Sequence, residues 1–404
     1  MKKGLLFLFW SVLLLCAEGQ YQGVRAGING ILGNVPAGTS WSVLIIDAET
    51  SDTVYTYGHR NLLIPASNTK VVSSAAALHL LGGDYELSTE LRYSGSVDAS
   101  GNLRGDLYLK ALGNPLMNGK DLEKFVRMVK ATGINSVHGD IIGDDTLFDT
   151  LYFRSQYVGN GELDYETYPL SALVLDHNTG LAGNRFTTAP VFISQTFKTM
   201  LTNSGVQVTG STHSGRTPAG TNLITAVTVK LSDLLKIVNK RSDNFLAEYT
   251  VKLISAAVNG ERGNTKNGLK LCMGFLQESG AYMKGMQMAD GSGLSRRNLI
   301  PTGVIINIYK YIYANQIFRN QFFSTLSISG VDGTLRSRMK EREGDNNLKG
   351  KTGTLFGVIT LSGYFKTRTG RDMMGAVFFN YTAYEPDFYR GLQDQIFNLV
   401  INSL

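Results

Sequence analysis

Strand-like segments stand near both ends of this 404-residue chain, and that arrangement limits its folds most. Residues 41–47 and 53–57 are rich in β-branched and aromatic side chains, as are 358–365 and 372–381, with a further short strand at 348–352. Helices are expected over 24–32, over 67–81 before the Gly82-Gly83 stop, and over 231–239, 244–258 and 387–404. A sheet fed from both ends must be closed by both termini, which gives an α+β core of antiparallel sheet flanked by helices. Between residues 86 and 225 the texture changes. Short alternating strands (87–93, 105–111), one amphipathic helix (120–132) and loops heavy in Gly, Asn, Asp and Thr read as a β-rich inserted lobe of one or two units. The expected plan is a leader over 1–19, a discontinuous main domain over 20–85 and 226–404, and a lobe over 86–225.

Lys2 and Lys3 precede an apolar stretch at 5–16, and Ala17-Glu18-Gly19 follows with small residues at the cleavage spacing. This order is that of a secretory signal, and the stretch is too short to span a bilayer. The protein is expected to be exported: periplasmic where the cell has two membranes, secreted where it has one. Lipidation of Cys16 would need a small residue where Leu15 stands, and stays open; membrane association is expected to be peripheral at most. A mature start at Gln20 leaves Cys272 as the single cysteine, so no internal disulfide can form. Cys272 lies in an apolar helical run, 268–276, and reads as a buried hydrophobe.

The 39 basic and 33 acidic residues are interspersed, with no basic run, which argues against a nucleic-acid partner. No Gly-x-Ser-x-Gly elbow occurs. The histidines at 59, 79, 138, 177 and 213 have no helical i,i+4 pairing, so neither a metal nor a cofactor is implied, and all five read as surface or hydrogen-bonded residues.

Three short motifs carry the chemistry. Ser67-Asn68-Thr69-Lys70 opens a helix, and positions three apart share a face, so the Lys70 amine can reach the Ser67 hydroxyl. A lysine becomes a base when burial lowers its pKa, and the apolar stretch 71–81 supplies a dry setting. Ser242-Asp243-Asn244 lies between two helices, where a hydroxyl can relay a proton and an amide can hold a carbonyl. Lys351-Thr352-Gly353-Thr354 precedes a β-rich run; a cation and hydroxyls on an edge strand suit a carboxylate, and Gly353 admits a close backbone.

In this order and these settings the set resembles the penicillin-recognising serine D,D-peptidases. More narrowly, it is similar to the low-molecular-mass class C penicillin-binding proteins, the D-alanyl-D-alanine carboxypeptidase/endopeptidases of peptidase family S13. Asp290-Gly291-Ser292-Gly293-Leu294-Ser295-Arg296, Gly330-Val331-Asp332-Gly333-Thr334-Leu335 and the stretch from Gly139-Asp140 to Phe148 add to the likeness. The 172 positions between Lys70 and Ser242 exceed a class A β-lactamase span and suit the inserted domains of class C peptidases.

The resemblance implies a β-lactamase/D,D-peptidase-like split domain acting on peptidoglycan stem peptides, with β-lactams as covalent inhibitors. It makes Ser67 the nucleophile, Lys70 its base and Ser242 the proton relay. The N–H groups of Ser67 and Thr354 form the oxyanion hole. Asn244 orients the acyl strand, and Lys351, Thr352 and Thr354 recognise the carboxylate. Arg296 would line the cleft. Asp145, or Asp144 in the alternative register, would meet the amine of a diamino acid. Two other readings stay open: a catalytically silent cell-wall binding protein, and a β-lactamase, which needs a deacylating base that the sequence does not supply, since Glu162 and Glu166 lie inside the expected insertion.

Overall fold

The computed structural model describes residues 21–159, 168–184, 186–340 and 347–404, so the expected leader lies outside the described residues. In chain order the main domain starts with α1 (Gln22–Leu32), β1 (Ser40–Asp47), β2 (Thr53–Tyr57) and α2 (Thr69–Leu81). The inserted lobe follows with β3 (Glu86–Tyr93), β4 (Leu107–Leu112), α3 (Gly119–Ala131), β5 (Ile141–Asp144), α4 (Ala189–Asn203), β6 (Thr212–Ser214) and β7 (Asn222–Lys230). The chain returns through α5 (Leu231–Lys240), α6 (Asn244–Asn259), α7 (Thr265–Glu278), α8 (Thr302–Ala314) and α9 (Gln316–Thr325). It closes with β8 (Ser327–Ile328), β9 (Lys349–Leu355), β10 (Val358–Lys366), β11 (Asp372–Asn380) and α10 (Pro386–Ser403).

The main sheet is antiparallel, in the order β8-β9-β10-β11-β1-β2. β11 pairs with β1 from Asn380 opposite Ser40 to Met373 opposite Asp47, which joins the two chain ends through backbone hydrogen bonds. Helices cover both faces, so β11 is buried from Asp372 to Phe379 rather than alternating. On one face Ile359, Leu361 and Val377 pack with α1 and α10; on the other, Ala376 and Phe378 join the larger core around α2 and α8. Every residue of α2 from Thr69 to Leu78 is buried, as is every residue of α6 from Phe245 to Ala256. These two helices form the centre of the domain, and the first two sequence motifs lie at their N-terminal ends.

The lobe contains a five-stranded sheet, order β6-β5-β4-β3-β7, and a separate sheet of four short strands. It holds more helix than the turn-rich composition suggests: α3, capped by Asn118 and Asp121, and α4, entered through Pro190. β7 pairs with β3 from Asn222 opposite Tyr93 to Lys230 opposite Glu86. Residue 225, where the lobe is expected to end, lies inside this strand. Cys272 is buried in α7.

Candidate active site

The chain reaches Ser67 through a tight turn, Ala66–Asn68, in which Ala66 takes φ 45°, and α2 starts immediately after it. Ser67 is half-buried, while Lys70, one turn on, is fully buried. The Lys70 Nζ lies 2.9 Å from Ser67 Oγ, 2.7 Å from Asn244 Oδ1 and 2.6 Å from the Ser292 carbonyl oxygen. Two of these partners can only accept. A neutral amine has two N–H groups and one lone pair, so donation to Asn244 and Ser292 leaves the lone pair for the Ser67 hydroxyl proton. Burial lowers the Lys70 pKa to about 8, against the opposing pull of Asp290, Glu248 and Asp243. A base with a pKa near the working pH is the efficient kind.

Ser242 joins α5 to α6 at φ 57°, a left-handed conformation that strains a non-glycine residue. That turn lets Asp243 cap α6 by accepting from the Leu246 N–H at 2.8 Å, and turns the Ser242 hydroxyl toward β9. There it accepts from Lys351 Nζ at 2.8 Å. Lys351 also donates to the Thr352 carbonyl at 2.8 Å. Burial and the neighbouring Lys70 charge hold its pKa well below the usual lysine value.

β8 pairs only with Lys349 and Gly350, so β9 from Lys351 onward presents an open edge to the cleft. A Cβ at Gly353 would stand 2.2 Å from Thr360 Oγ1 and 2.9 Å from both the Ser67 nitrogen and the Pro65 carbonyl oxygen. The strand thus passes directly against the Ser67 turn. Asn68 ties the two together: its amide donates to the Lys351 carbonyl at 3.2 Å and to Thr360 Oγ1 at 2.8 Å, and accepts from Ser362 Oγ at 2.5 Å.

Behind Lys70 sits a buried ionic cluster. Arg154, from the lobe, pairs with Asp290 at 2.5 Å and with Glu248 at 3.4 Å, all three sealed from solvent. Glu248 accepts the N–H groups of Gly291 and Ser292, and Asp290 those of Gly293 and Ser295. Gly293 has φ 87°, and a Cβ there would meet the Ala66 carbonyl oxygen at 1.9 Å. The cluster fixes the 290–295 loop, and with it the carbonyl that holds Lys70. Burial, then the Asp290 charge, raises the Glu248 pKa.

Residues 24–183 and 182–399 match the family described as D-Ala-D-Ala carboxypeptidase 3 (S13). The chain belongs to that family. This peptidase is 27% identical over 423 residues to a D-alanyl-D-alanine carboxypeptidase of an Actinomadura species, covering 84% of this chain and 78% of the relative. Penicillin binding protein 4 from Haemophilus influenzae superposes with a TM-score of 0.80 at 21% identity, over 92% of this chain and 99% of that one. A penicillin G acylated predatory endopeptidase from Bdellovibrio bacteriovorus, complexed with an immunity protein, gives 0.55 at 16% identity, over 89% and 91%. The shared fold is the expected split α+β domain with helices flanking the sheet. The protein is a serine-type D-Ala-D-Ala peptidase.

Within this peptidase the structure brings Lys70 against Ser67 and Asn244, and Lys351 against Ser242, beside the β9 edge, while Thr352 and Thr354 stand on the other face of that strand. Arg296 stands on the rim of the cleft, donating to the Phe356 carbonyl at 2.8 Å across to the β9–β10 turn, where the Phe356 ring is 96% exposed. Asp145 directly follows β5. Its carboxylate accepts from Tyr152 at 2.8 Å and Ser171 at 3.1 Å, and burial raises its pKa. Asp144, the alternative register, accepts from the backbone and hydroxyl of Thr146 and the backbone of Thr217 inside the lobe. Glu162 and Glu166 lie outside the described residues.

Three site-supporting residues were not singled out from the sequence: Arg154, Glu248 and His177. His177, at φ 56°, reaches from the lobe to within 3.2 Å of Asp243 Oδ2. Although Asp243 is largely buried, the His177 contact and the Leu246 N–H hold its pKa below the usual value. Among the described residues no group of three or more His, Cys, Asp or Glu is placed to hold a metal, and no helix is long and apolar enough to cross a membrane.

Proposed function

We propose that this peptidase is exported and cleaves the D-Ala-D-Ala bond of peptidoglycan stem peptides through an ester on Ser67. Residues 20–85 and 231–404 form the catalytic domain, and the lobe is inserted between them. The Lys70 amine takes the Ser67 proton as Oγ attacks the carbonyl carbon. The oxyanion lies between the N–H groups of Ser67 and Thr354; such preorganised donors are worth about 3–4 kcal/mol each. Asn244 orients the acyl strand. Ser242, held by Lys351, passes its proton to the departing D-alanine nitrogen and takes in its place the one that Lys70 received, while the D-alanine carboxylate rests on the Thr352 and Thr354 hydroxyls. Water then enters, the ester breaks, and Ser67 regains its proton. A cross-linked neighbour as leaving group makes the same sequence an endopeptidase reaction. β-Lactams, being strained cyclic amides, acylate Ser67 by the same attack.

The reading is carried by one observation, the Lys70 amine whose two obligate acceptors leave its lone pair for Ser67. It is tested by incubating the protein with benzylpenicillin, measuring intact mass, and assaying D-alanine release from a pentapeptide. The expected result is a single adduct that maps to Ser67, is lost in Ser67→Ala, and blocks D-alanine release. A folded wild-type protein that neither gains mass nor releases D-alanine would contradict the reading and favour a silent binding protein.

A further inference from the structure

A substrate carboxylate resting on Thr352 and Thr354 needs a counter-charge, and Lys351 is badly placed to provide it. Alternation along β9 sends Lys351 and Gly353 to the face that holds the Ser67 turn, and Thr352 and Thr354 to the opposite face. Lys351 is fully buried, and its amine is already engaged by Ser242 and the Thr352 carbonyl. On the other face the two threonines open into a cavity of about 710 Å³, and Arg336 and Arg390 line the same cavity.

Arg390 projects from α10, with Nη2 3.5 Å from Thr354 Oγ1. Its other partner is Asp387, at 2.6 Å, whose side chain is 88% exposed. Such an exposed pair is weak, so the guanidinium can turn to a better-placed carboxylate. Arg336 is exposed and has no hydrogen bond or ion pair among the described residues. Arg338, by contrast, is bound to Asp394 at 2.6 Å and closes the far end of the cavity. A guanidinium keeps its charge throughout the working pH range and meets a carboxylate with two parallel N–H groups.

We propose that Arg390, assisted by Arg336, is the cationic half of the carboxylate subsite, holding the terminal carboxylate of the leaving residue on the face of β9 opposite Lys351. This rests on the D,D-peptidase reading. It assigns the preference for a free C-terminal acid to α10 and the 333–338 loop rather than to the lysine of the third motif, from which carboxylate recognition was expected.

The test compares an acyl-D-Ala-D-Ala peptide with the same peptide amidated at its C-terminus. kcat and KM are measured for wild type, Arg390→Ala, Arg390→Lys and Arg336→Ala, with thermal melting as the check on folding. Losing a hydrogen bond to a charged group lowers the acid-over-amide preference in Arg390→Ala about ten- to hundredfold. The loss is expected mainly in KM for the acid, with part retained in Arg390→Lys and a smaller effect in Arg336→Ala. Equal losses on both peptides, or an unchanged preference, would overturn the inference while leaving the peptidase reading intact. A wild-type protein inert to both peptides would overturn the reading itself and this inference with it.

Discussion

The Nζ of Lys70 lies 2.6 Å from the carbonyl oxygen of Ser292, a residue 222 positions further along the chain. That contact links α2 to a loop whose shape is set by Glu248, Asp290 and, from the inserted lobe, Arg154. Lys70 is therefore held in part by groups outside the three motifs.

Glu248→Gln removes a charge that raises the Lys70 pKa and keeps one of the two oxygens that accept from the Gly291 and Ser292 N–H groups. With less opposing charge, the pKa of Lys70 falls further. The acid limb of the acylation rate is expected to move to lower pH, read by penicillin acylation across a pH series. An upward shift would contradict the electrostatic role.

Arg154→Met leaves two buried carboxylates without their cation. Breaking a buried ionic group in this way costs about 3–5 kcal/mol, measured by denaturant unfolding. A change below about 1 kcal/mol, the range of exposed pairs, would show that the cluster does not hold the lobe to the 290–295 loop.

Ser242 offers a test of strain at a functional turn. Both Ser242→Ala and Ser242→Gly lose the hydroxyl, and both should lose D-alanine release. They differ in backbone freedom at φ 57°, so the glycine variant is expected to be the more stable by about 1–2 kcal/mol. Equal unfolding midpoints would mean that the strain is relieved elsewhere.

Gly353→Ala places a methyl group against the Ser67 nitrogen and Thr360. Displacing one oxyanion donor costs about 10²–10³ in rate. Acylation by penicillin should fall by that order while substrate binding to the rest of the cleft changes less, measured as kcat against KM. A normal acylation rate would remove the Ser67 N–H from the oxyanion hole.

The reach of the sequence follows from how far apart the interacting residues lie. Ser67 and Lys70 were legible because a helix turn fixes their separation, and Lys351, Thr352 and Thr354 because strand spacing does. The partners Arg154, Glu248 and His177 were not, since no local period relates positions 154 and 290, or 177 and 243; only the docking of the lobe brings them together. Helix α8 was missed for another reason. Its residues, Thr-Gly-Val-Ile-Ile-Asn-Ile-Tyr-Lys-Tyr-Ile-Tyr-Ala, favour strands, and burial from Thr302 to Ile306 against the core overrides that preference.

The most direct test of the central claim, that a neutral Lys70 amine activates Ser67, is the rate constant of benzylpenicillin acylation measured from pH 6 to pH 10. The account predicts a rate that rises with pH to a plateau with a midpoint near 8, where Lys70 loses its proton, and that lacks this rise in Lys70→Ala. A wild-type rate independent of pH over this range, or one that falls as Lys70 deprotonates, would contradict it.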